Sequence, residues 1–407
     1  MFPLPASKPL NVLHIAPTPF FSDRGCHIRI RNEVAALEQA GARVTVATYH
    51  HGRSPAGMKL RRIPAVPGYT QTTAGYSPYR FIADGFLLNL VARILKKNPP
   101  DVIHAHLHEG ALIGWAARRI TSRSEIPLIM DMQGSLSGEL SAYQAFGPLT
   151  ALLGLFRAVE YWVCRLPDFI FCSSKASQAL LHTSFGISPA VTQVIDDIIP
   201  DRFLTLPVEP ASNLARYHQG TPQTVIYTGS LLAGKGLALL LGAMECVLRK
   251  RTDVHFILLG YPKEKAAEFI AAQGWQARCQ LPGKVPYDQL NQWLSQAQVA
   301  LEPKPEASGE ASGKLIHYLA AGLPVACFAT PNNCELLGPQ GYYAKGNTAQ
   351  DLAQAILSAV DDDQAARRGL AGRSRIAKRF APSKVAGRMM ESYRRLLDAA
   401  DRKAATD

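Results

Sequence analysis

Long hydrophobic runs are missing from this 407-residue chain. The most apolar window, Gly147 to Leu166, is interrupted by Arg157 and Glu160, so it falls short of the roughly 18 near-uncharged residues a spanning helix needs. No integral membrane helix is expected. Residues Met1 to Pro9 lack the basic-then-apolar pattern of a secretory leader, and the chain is expected to stay in the cytoplasm. Cysteine is sparse and scattered. The seven (Cys26, Cys164, Cys172, Cys246, Cys279, Cys327, Cys334) are odd in number and form no Cys-x-x-Cys pair, which speaks against a disulfide framework and against a zinc site. Acidic charge is also short. There are 44 Lys+Arg against 32 Asp+Glu, and the excess is concentrated between Arg24 and Arg123, where 15 basic residues face 5 acidic ones. An anionic partner is implied, the other reading being a solvated basic face. No zinc finger, aromatic RNP pattern or heptad-bearing basic helix is present, so a phosphate-bearing substrate or an anionic membrane surface fits better than nucleic acid. The cluster Arg53, Lys59, Arg61 and Arg62 is the densest part of this face.

What is present is an alternation. Short β-rich runs recur at Asn11 to Pro17, Arg43 to Tyr49, Met58 to Ala65, Asp101 to His106, Pro127 to Met132, Asp168 to Ser174 and Ala190 to Asp196, with amphipathic helical segments between most of them. The rhythm resumes at Thr224 to Ser230, Val254 to Gly260, Cys279 to Gly283, Val299 to Pro303 and Pro324 to Phe328. Strands alternating with helices of this length predict parallel sheets with crossovers, an α/β chain. Between the halves, Pro200, Pro207, Pro210, Gly220 and Pro222 break the period. The division expected is an amino-terminal Rossmann-like domain over 1–200, a linker over 201–222, a carboxy-terminal Rossmann-like domain over 223–382, and a final helix over 383–407 that crosses back to the first domain. In doubly wound sheets ligands bind outside the carboxyl ends of the strands, so the function is expected in a cleft faced by both domains.

Two segments carry phosphate chemistry. Tyr227-Thr228-Gly229-Ser230 closes a strand, and the glycine-containing turn to Lys235 and Gly236 opens a helix. Glycines let the backbone approach an anion, a helix start offers N–H groups, and Lys235 adds a full charge. The second segment runs from Glu302 through Glu306, Glu310, Gly313 and Lys314 to Gly322-Leu323-Pro324. Gly309, Gly313 and Lys314 superficially resemble a Walker A loop, but the spacing is one residue short and Leu315 stands where Ser or Thr belongs, so an ATPase loop is rejected. A second helix-start phosphate cradle remains, beside carboxylates suited to sugar hydroxyls.

These residues, with Leu258-Leu259-Gly260, Gly283-Lys284-Val285-Pro286 and above all Lys314-Leu315 to Pro324-Val325, resemble the nucleotide-sugar domain of GT4-type glycosyltransferases, retaining enzymes of the GT-B fold. In the first half, Gly25, the turn Gly41-Ala42-Arg43-Val44 and Asp101-Val102-Ile103-His104-Ala105-His106 resemble the family's acceptor domain. The resemblance implies that Gly229, Ser230 and Lys235 face the donor diphosphate, that Gly283 and Val285 border the nucleobase, and that amides around Gly313, Lys314 and Leu315 hold phosphate. Two departures stand out. Ser230 replaces the family's usual Arg. The Glu-x7-Glu motif is matched literally by Glu302 and Glu310, but the register counted back from Pro324 puts His317 in the second glutamate's slot and Gly309 in the first's. His317 is then expected at the ribose, with Glu310 or Glu306 at the donor sugar and Glu335 near the donor; the other reading of Glu335 is a charge favoured by a helix dipole. His104 and His106 are read as pointing to opposite faces of their strand, with His106 as the residue that touches the transferred sugar or the acceptor. Gly25, His108, Asp131 and Gln133 are expected to line the acceptor pocket.

The resemblance implies sugar transfer with retention from a nucleotide-sugar, UDP- or GDP-linked, to a saccharide or lipid-linked hydroxyl acceptor, in polysaccharide, glycolipid or cell-envelope glycan synthesis. No cofactor and no metal are expected, nor a nucleic-acid partner. A peripheral contact with the inner face of an anionic membrane is expected from the basic first half. The alternatives are a sugar-nucleotide epimerase of the same fold and a catalytically silent nucleotide-sugar binder.

Overall fold

A computed structural model describes residues 8–72, 77–135, 151–204, 222–305 and 313–404. Contact density divides the chain into two units, one built chiefly on Met1–Ile198 with Pro382–Asp407, the other on Ile199–Ala307 with Ser312–Ala381. Each is a parallel sheet covered by helices.

In the first unit the order is β1 (Asn11–Ala16), α1 (Gly25–Gln39), β2 (Arg43–Thr48), β3 (Leu60–Arg62), α2 (Tyr79–Lys97), β4 (Val102–His106), α3 (Leu107–Thr121), β5 (Leu128–Met132), α4 (Ala151–Val163), β6 (Phe169–Cys172), α5 (Lys175–Phe185) and β7 (Thr192–Val194). The sheet runs β3-β2-β1-β4-β5-β6-β7. β4, β5 and β6 are buried along their whole length, so their apolar residues fall on both faces, interrupted by His104, His106 and Asp131. Helix α5 shows the local logic well: Ser174 and Ser177 form a reciprocal capping box at its start, and Gly186 ends it in a left-handed conformation at φ +63°.

The second unit opens with the short α6 (Asp201–Leu204), then β8 (Gln223–Thr228), α7 (Leu237–Lys250), β9 (Val254–Leu259), α8 (Glu264–Ala272), β10 (Cys279–Gly283), α9 (Leu290–Leu294), β11 (Val299–Glu302), α10 (Gly313–Ala320), β12 (Val325–Phe328), α11 (Pro331–Leu337), β13 (Tyr342–Ala344), α12 (Ala349–Val360) and α13 (Ala365–Arg379). Its sheet runs β10-β9-β8-β11-β12-β13. The last helix, α14 (Pro382–Ala404), belongs to the first unit, where it packs on α1.

Both sheets change winding direction once, between β1 and β4 and between β8 and β11. These switch points are where the chain diverges to opposite sides and leaves a crevice at the strand ends. Among the described residues no helix is long and apolar enough to cross a membrane.

Candidate functional site

In the second unit the switch point is built from backbone close approach. Gly229 leaves β8 at φ +145°, and a Cβ there would lie 2.9 Å from the Tyr227 hydroxyl. Gly260, at the end of β9, is tighter still: its Cβ would lie 1.8 Å from the Gly229 carbonyl oxygen. The two loops are tied by Gly229 N–H donating to the Leu259 carbonyl at 2.9 Å and Leu231 N–H to the Tyr261 carbonyl at 3.0 Å. Gly236 starts α7 at φ +85°, where a Cβ would meet the Pro303 carbonyl at 2.5 Å. Backbone can come this close only where side chains are absent.

Around this loop the sequence signals converge. Lys314, at the start of α10, donates to Glu302 at 3.2 Å and lies 4.8 Å from the centre of the Tyr227 ring. Tyr318, one turn on, takes the Thr228 N–H at 2.7 Å, which fixes the end of β8 to α10. Lys235 sits half-buried in the same loop, and Ser230 presents its carbonyl to the Tyr227 hydroxyl at 2.9 Å. Glu302, Tyr227 and Tyr318 lie in the segments singled out from the sequence, but no binding role was read for them there. The signal for them was available, since each sits at or near the end of a strand or in the first turns of the helix that define the crevice. Leu315 is fully buried, so only its backbone amide is available at the helix start. Gly283 turns at φ +80° at the end of β10, and Val285 follows half-buried. Glu306 and Glu310 lie outside the described residues.

His317 departs from its expected place. Its Nδ1–H donates to the Gly313 carbonyl at 2.6 Å, which leaves Nε2 as the acceptor for the Tyr287 hydroxyl at 2.8 Å, and the Phe203 ring stands edge-on at 4.8 Å. Both ring nitrogens are committed within the protein, so neither is offered to a ribose; the residue locks α10 against Tyr287 and α6. Glu335 likewise pairs with Arg379 at 3.0 Å, and because it is the fifth residue of α11 the helix dipole does not account for it.

In the first unit the strand ends carry a buried polar cluster. His106 is 0% exposed, with Nδ1 3.1 Å from Asp131 and Nε2 2.8 Å from His14 Nδ1. His106 therefore presents no ring nitrogen to a sugar, contrary to expectation. His104 lies on the same face, not the opposite one: its ring stacks on that of His106 at 4.7 Å, because residues two apart on a strand share a side. Its Nδ1 meets the Tyr393 hydroxyl of α14 at 2.7 Å. Leu107 follows at φ +62°, an uncommon left-handed conformation for a branched residue, and turns β4 into α3.

Asp131 anchors this cluster. Arg29 grips its two oxygens through Nε and Nη2, reaches Asp197 at 2.7 Å through Nη1, and lies 3.0 Å from Glu33. Burial works to raise the Asp131 pKa, but Arg29 and His106 hold it well below the usual carboxylate range. Burial lowers His14 and His104 well below the ordinary histidine value and lowers His106 too, so all three are neutral at pH 7. Glu33, His104, His106 and Asp131 bring ligand atoms within 4.8 Å of one another. The cationic charge a metal would bring there is already supplied by the Arg29 guanidinium, so the set does not fit a metal centre.

Of the other residues expected at an acceptor, Gly25 begins α1 with nothing within 4 Å of a Cβ placed there. Gln133 is half-buried and donates through Nε2 to Asp131 at 2.8 Å. His108 is buried instead of lining a surface. Burial favours its neutral form, but Cys164 and Glu160 pull its pKa up to about 10, and Glu160 lies 3.5 Å away.

Of solved structures, HepE of Anabaena in complex with UDP and glucose is 18% identical with a TM-score of 0.72, covering 94% of this chain and 99% of HepE. Sucrose-phosphate synthase of Thermosynechococcus elongatus is 18% identical with a TM-score of 0.78, covering 96% and 100%. WaaG, a glycosyltransferase involved in lipopolysaccharide biosynthesis, is 15% identical with a TM-score of 0.67, covering 92% and 98%. At these identities the likeness is one of fold. A comparison with curated proteins gives no match. Family models place a glycosyl transferase 4-like domain over residues 24–196 and a glycosyl transferases group 1 domain over residues 222–362. With both domains matched in order on two parallel-sheet units, the chain belongs to the GT4-type glycosyltransferases of the GT-B fold.

Proposed function

We propose that this glycosyltransferase takes its sugar from a nucleotide-sugar and passes it, with retention at the anomeric carbon, to a hydroxyl of a saccharide or lipid-linked acceptor in glycan or cell-envelope synthesis. The observation that carries the reading is the turn after β8, which brings Gly229, Lys235 and Gly236 to the switch point of the sheet beside the α10 start at Gly313 and Lys314. Two helix starts and a lysine at the carboxyl ends of the strands offer a diphosphate N–H groups and positive charge. As the sugar–phosphate bond breaks, these groups stabilise the departing diphosphate. The leaving phosphate oxygen then accepts the proton of the incoming hydroxyl on the same face of the ring, so no separate strong base is required. Because HepE is solved with UDP and with glucose, UDP-glucose heads the donors to try.

The test is a thermal-shift screen over UDP-, GDP- and ADP-sugars. The true donor stabilises the fold by RT ln(1 + [L]/Kd), and the anomeric configuration of the product, read by proton NMR, tests retention. Lys235→Ala is expected to weaken donor binding by about 1.5–3 kcal/mol through loss of a charge-assisted contact. Unchanged affinity would remove Lys235 from the diphosphate. Donor binding with no turnover in any acceptor extract would favour the silent binder over the transferase.

We extend the reading to an anionic membrane surface. In the basic cluster Arg62 is spent on the loop it closes, donating to the carbonyls of Tyr49, His51, Gly52 and Arg53, and Arg53 pairs with Asp23. Lys59 and Arg61 are exposed, and α4 exposes Leu155, Val159 and Trp162 at helical spacing on one side. Exposed basic residues and exposed apolar helix faces each favour adsorption to anionic lipid. Charge-neutralising substitution of Lys59 and Arg61 together is expected to release the protein from phosphatidylglycerol vesicles at low salt. Undiminished co-sedimentation would remove the membrane contact.

A further inference from the structure

The hydrogen positions in the buried cluster of the first unit follow from its geometry. An ionised carboxylate only accepts, so in the 3.1 Å contact with Asp131 the proton is on His106 Nδ1. A neutral imidazole has one N–H, which leaves His106 Nε2 with a lone pair. The proton in the 2.8 Å contact between His106 Nε2 and His14 Nδ1 therefore comes from His14. His14 Nε2 is then a bare lone pair, and it is this atom that has no partner in the structure. A buried acceptor without a partner is tolerated better than a buried N–H without one, so the tautomers agree along the whole chain. Protonating His106 a second time would place another buried positive charge beside Arg29.

The relay runs one way, from His14 to His106 to Asp131, and Gln133 joins at the same carboxylate oxygen. Gln133 Nε2 donates to Asp131 Oδ2 at 2.8 Å, so its amide nitrogen is committed inward and its carbonyl oxygen is the group it can offer outward. Gln133 is half-buried, whereas His14, His106 and Asp131 are all 0% exposed. We propose that His14 is a positioning residue for sugar transfer: through His106 and Asp131 it sets the amide of Gln133 so that Oε1 accepts a hydrogen bond from a hydroxyl of the acceptor saccharide. This rests on the transferase reading above. It makes Gln133 the contact and His14 a remote partner with no substrate contact of its own.

The experiment compares His14→Leu, which removes the donor, with His14→Asn, whose side-chain N–H takes the place of Nδ1–H. Donor affinity and the amide NMR spectrum serve as folding controls. His14→Leu is expected to lower kcat/KM for the acceptor about five- to tenfold, the effect of one lost hydrogen bond, with donor affinity unchanged. His14→Asn is expected to recover most of that loss. Long-range nitrogen–proton NMR of the wild type is expected to show the Nδ1–H tautomer at both His14 and His106. An Nε2–H tautomer at His106, or equal acceptor kinetics in the two variants, would overturn the proposal. Failure of the transferase reading is separate: the wild type would then turn over no nucleotide-sugar at all, while the tautomer spectrum is read on the protein alone.

Discussion

Arg29→Met is expected to destabilise the first unit by about 3–5 kcal/mol, the range for breaking a buried ion pair from one side. The guanidinium is 5% exposed and holds Asp131, Asp197 and Glu33 together with the Ile195 carbonyl. It thereby joins α1 to the end of β5 and to the segment after β7. Methionine fills similar volume but leaves those carboxylates uncompensated. Asp131, no longer held down by Arg29, is then pushed up by burial. A carboxyl whose folded pKa is raised is stabilising when protonated and costs stability as pH rises through that pKa, so the deficit should be larger at pH 7 than at pH 5. In the wild type the sign is opposite: Asp131 is depressed, so its contribution is present above its unfolded value and is lost as pH falls. Urea unfolding at the two pH values measures both claims. A loss below about 1 kcal/mol would mean that the cluster relaxes or admits water instead of leaving charges unpaired.

The same cluster shows what the sequence hides. The strand rhythm was legible because β1, β4 and β5 are buried on both faces and mostly apolar, and the segment from Lys314 to Val325 was legible because a helix start, a glycine and a proline fix one register. Burial of His106 was not. It depends on His14, paired across the sheet with His104, and on Tyr393, which arrives from a helix 289 residues further along the chain. Two local signals were nevertheless available: a histidine in the middle of an apolar strand at His14, and an Arg29–Glu33 pair one turn apart on α1. His317 shows the opposite failure. The count back from Pro324 puts His317 in the family's glutamate slot, but an imidazole there has a tyrosine and a backbone carbonyl within reach, and it turns inward. The three-residue edge strand β13 carries too little pattern to be seen at all.

Gly260→Ala is expected to be among the most damaging single-methyl additions in the second unit. The added Cβ would meet the Gly229 carbonyl oxygen at 1.8 Å and its carbon at 3.0 Å. Both are backbone atoms, so no rotamer change relieves the overlap. The strand-end loops must separate, and the hydrogen bonds from Gly229 to Leu259 and from Leu231 to Tyr261 hold them together. We expect a loss of about 2–3 kcal/mol or more in stability, at or above the upper end of overpacking costs. The donor-induced thermal shift should vanish with it, because the displaced backbone leads into the turn that presents Lys235 and the α7 start. Gly387→Ala separates this from a general intolerance of the extra methyl. Gly387 lies inside α14 with nothing within 4 Å of its Cβ position, so alanine there should stabilise by about 0.5–1 kcal/mol and leave the donor response intact. If Gly260→Ala folds normally and still responds to donor, the close approach of β8 and β9 is not what shapes the diphosphate site, and the charge of Lys235 and the α10 start would have to hold the donor without it.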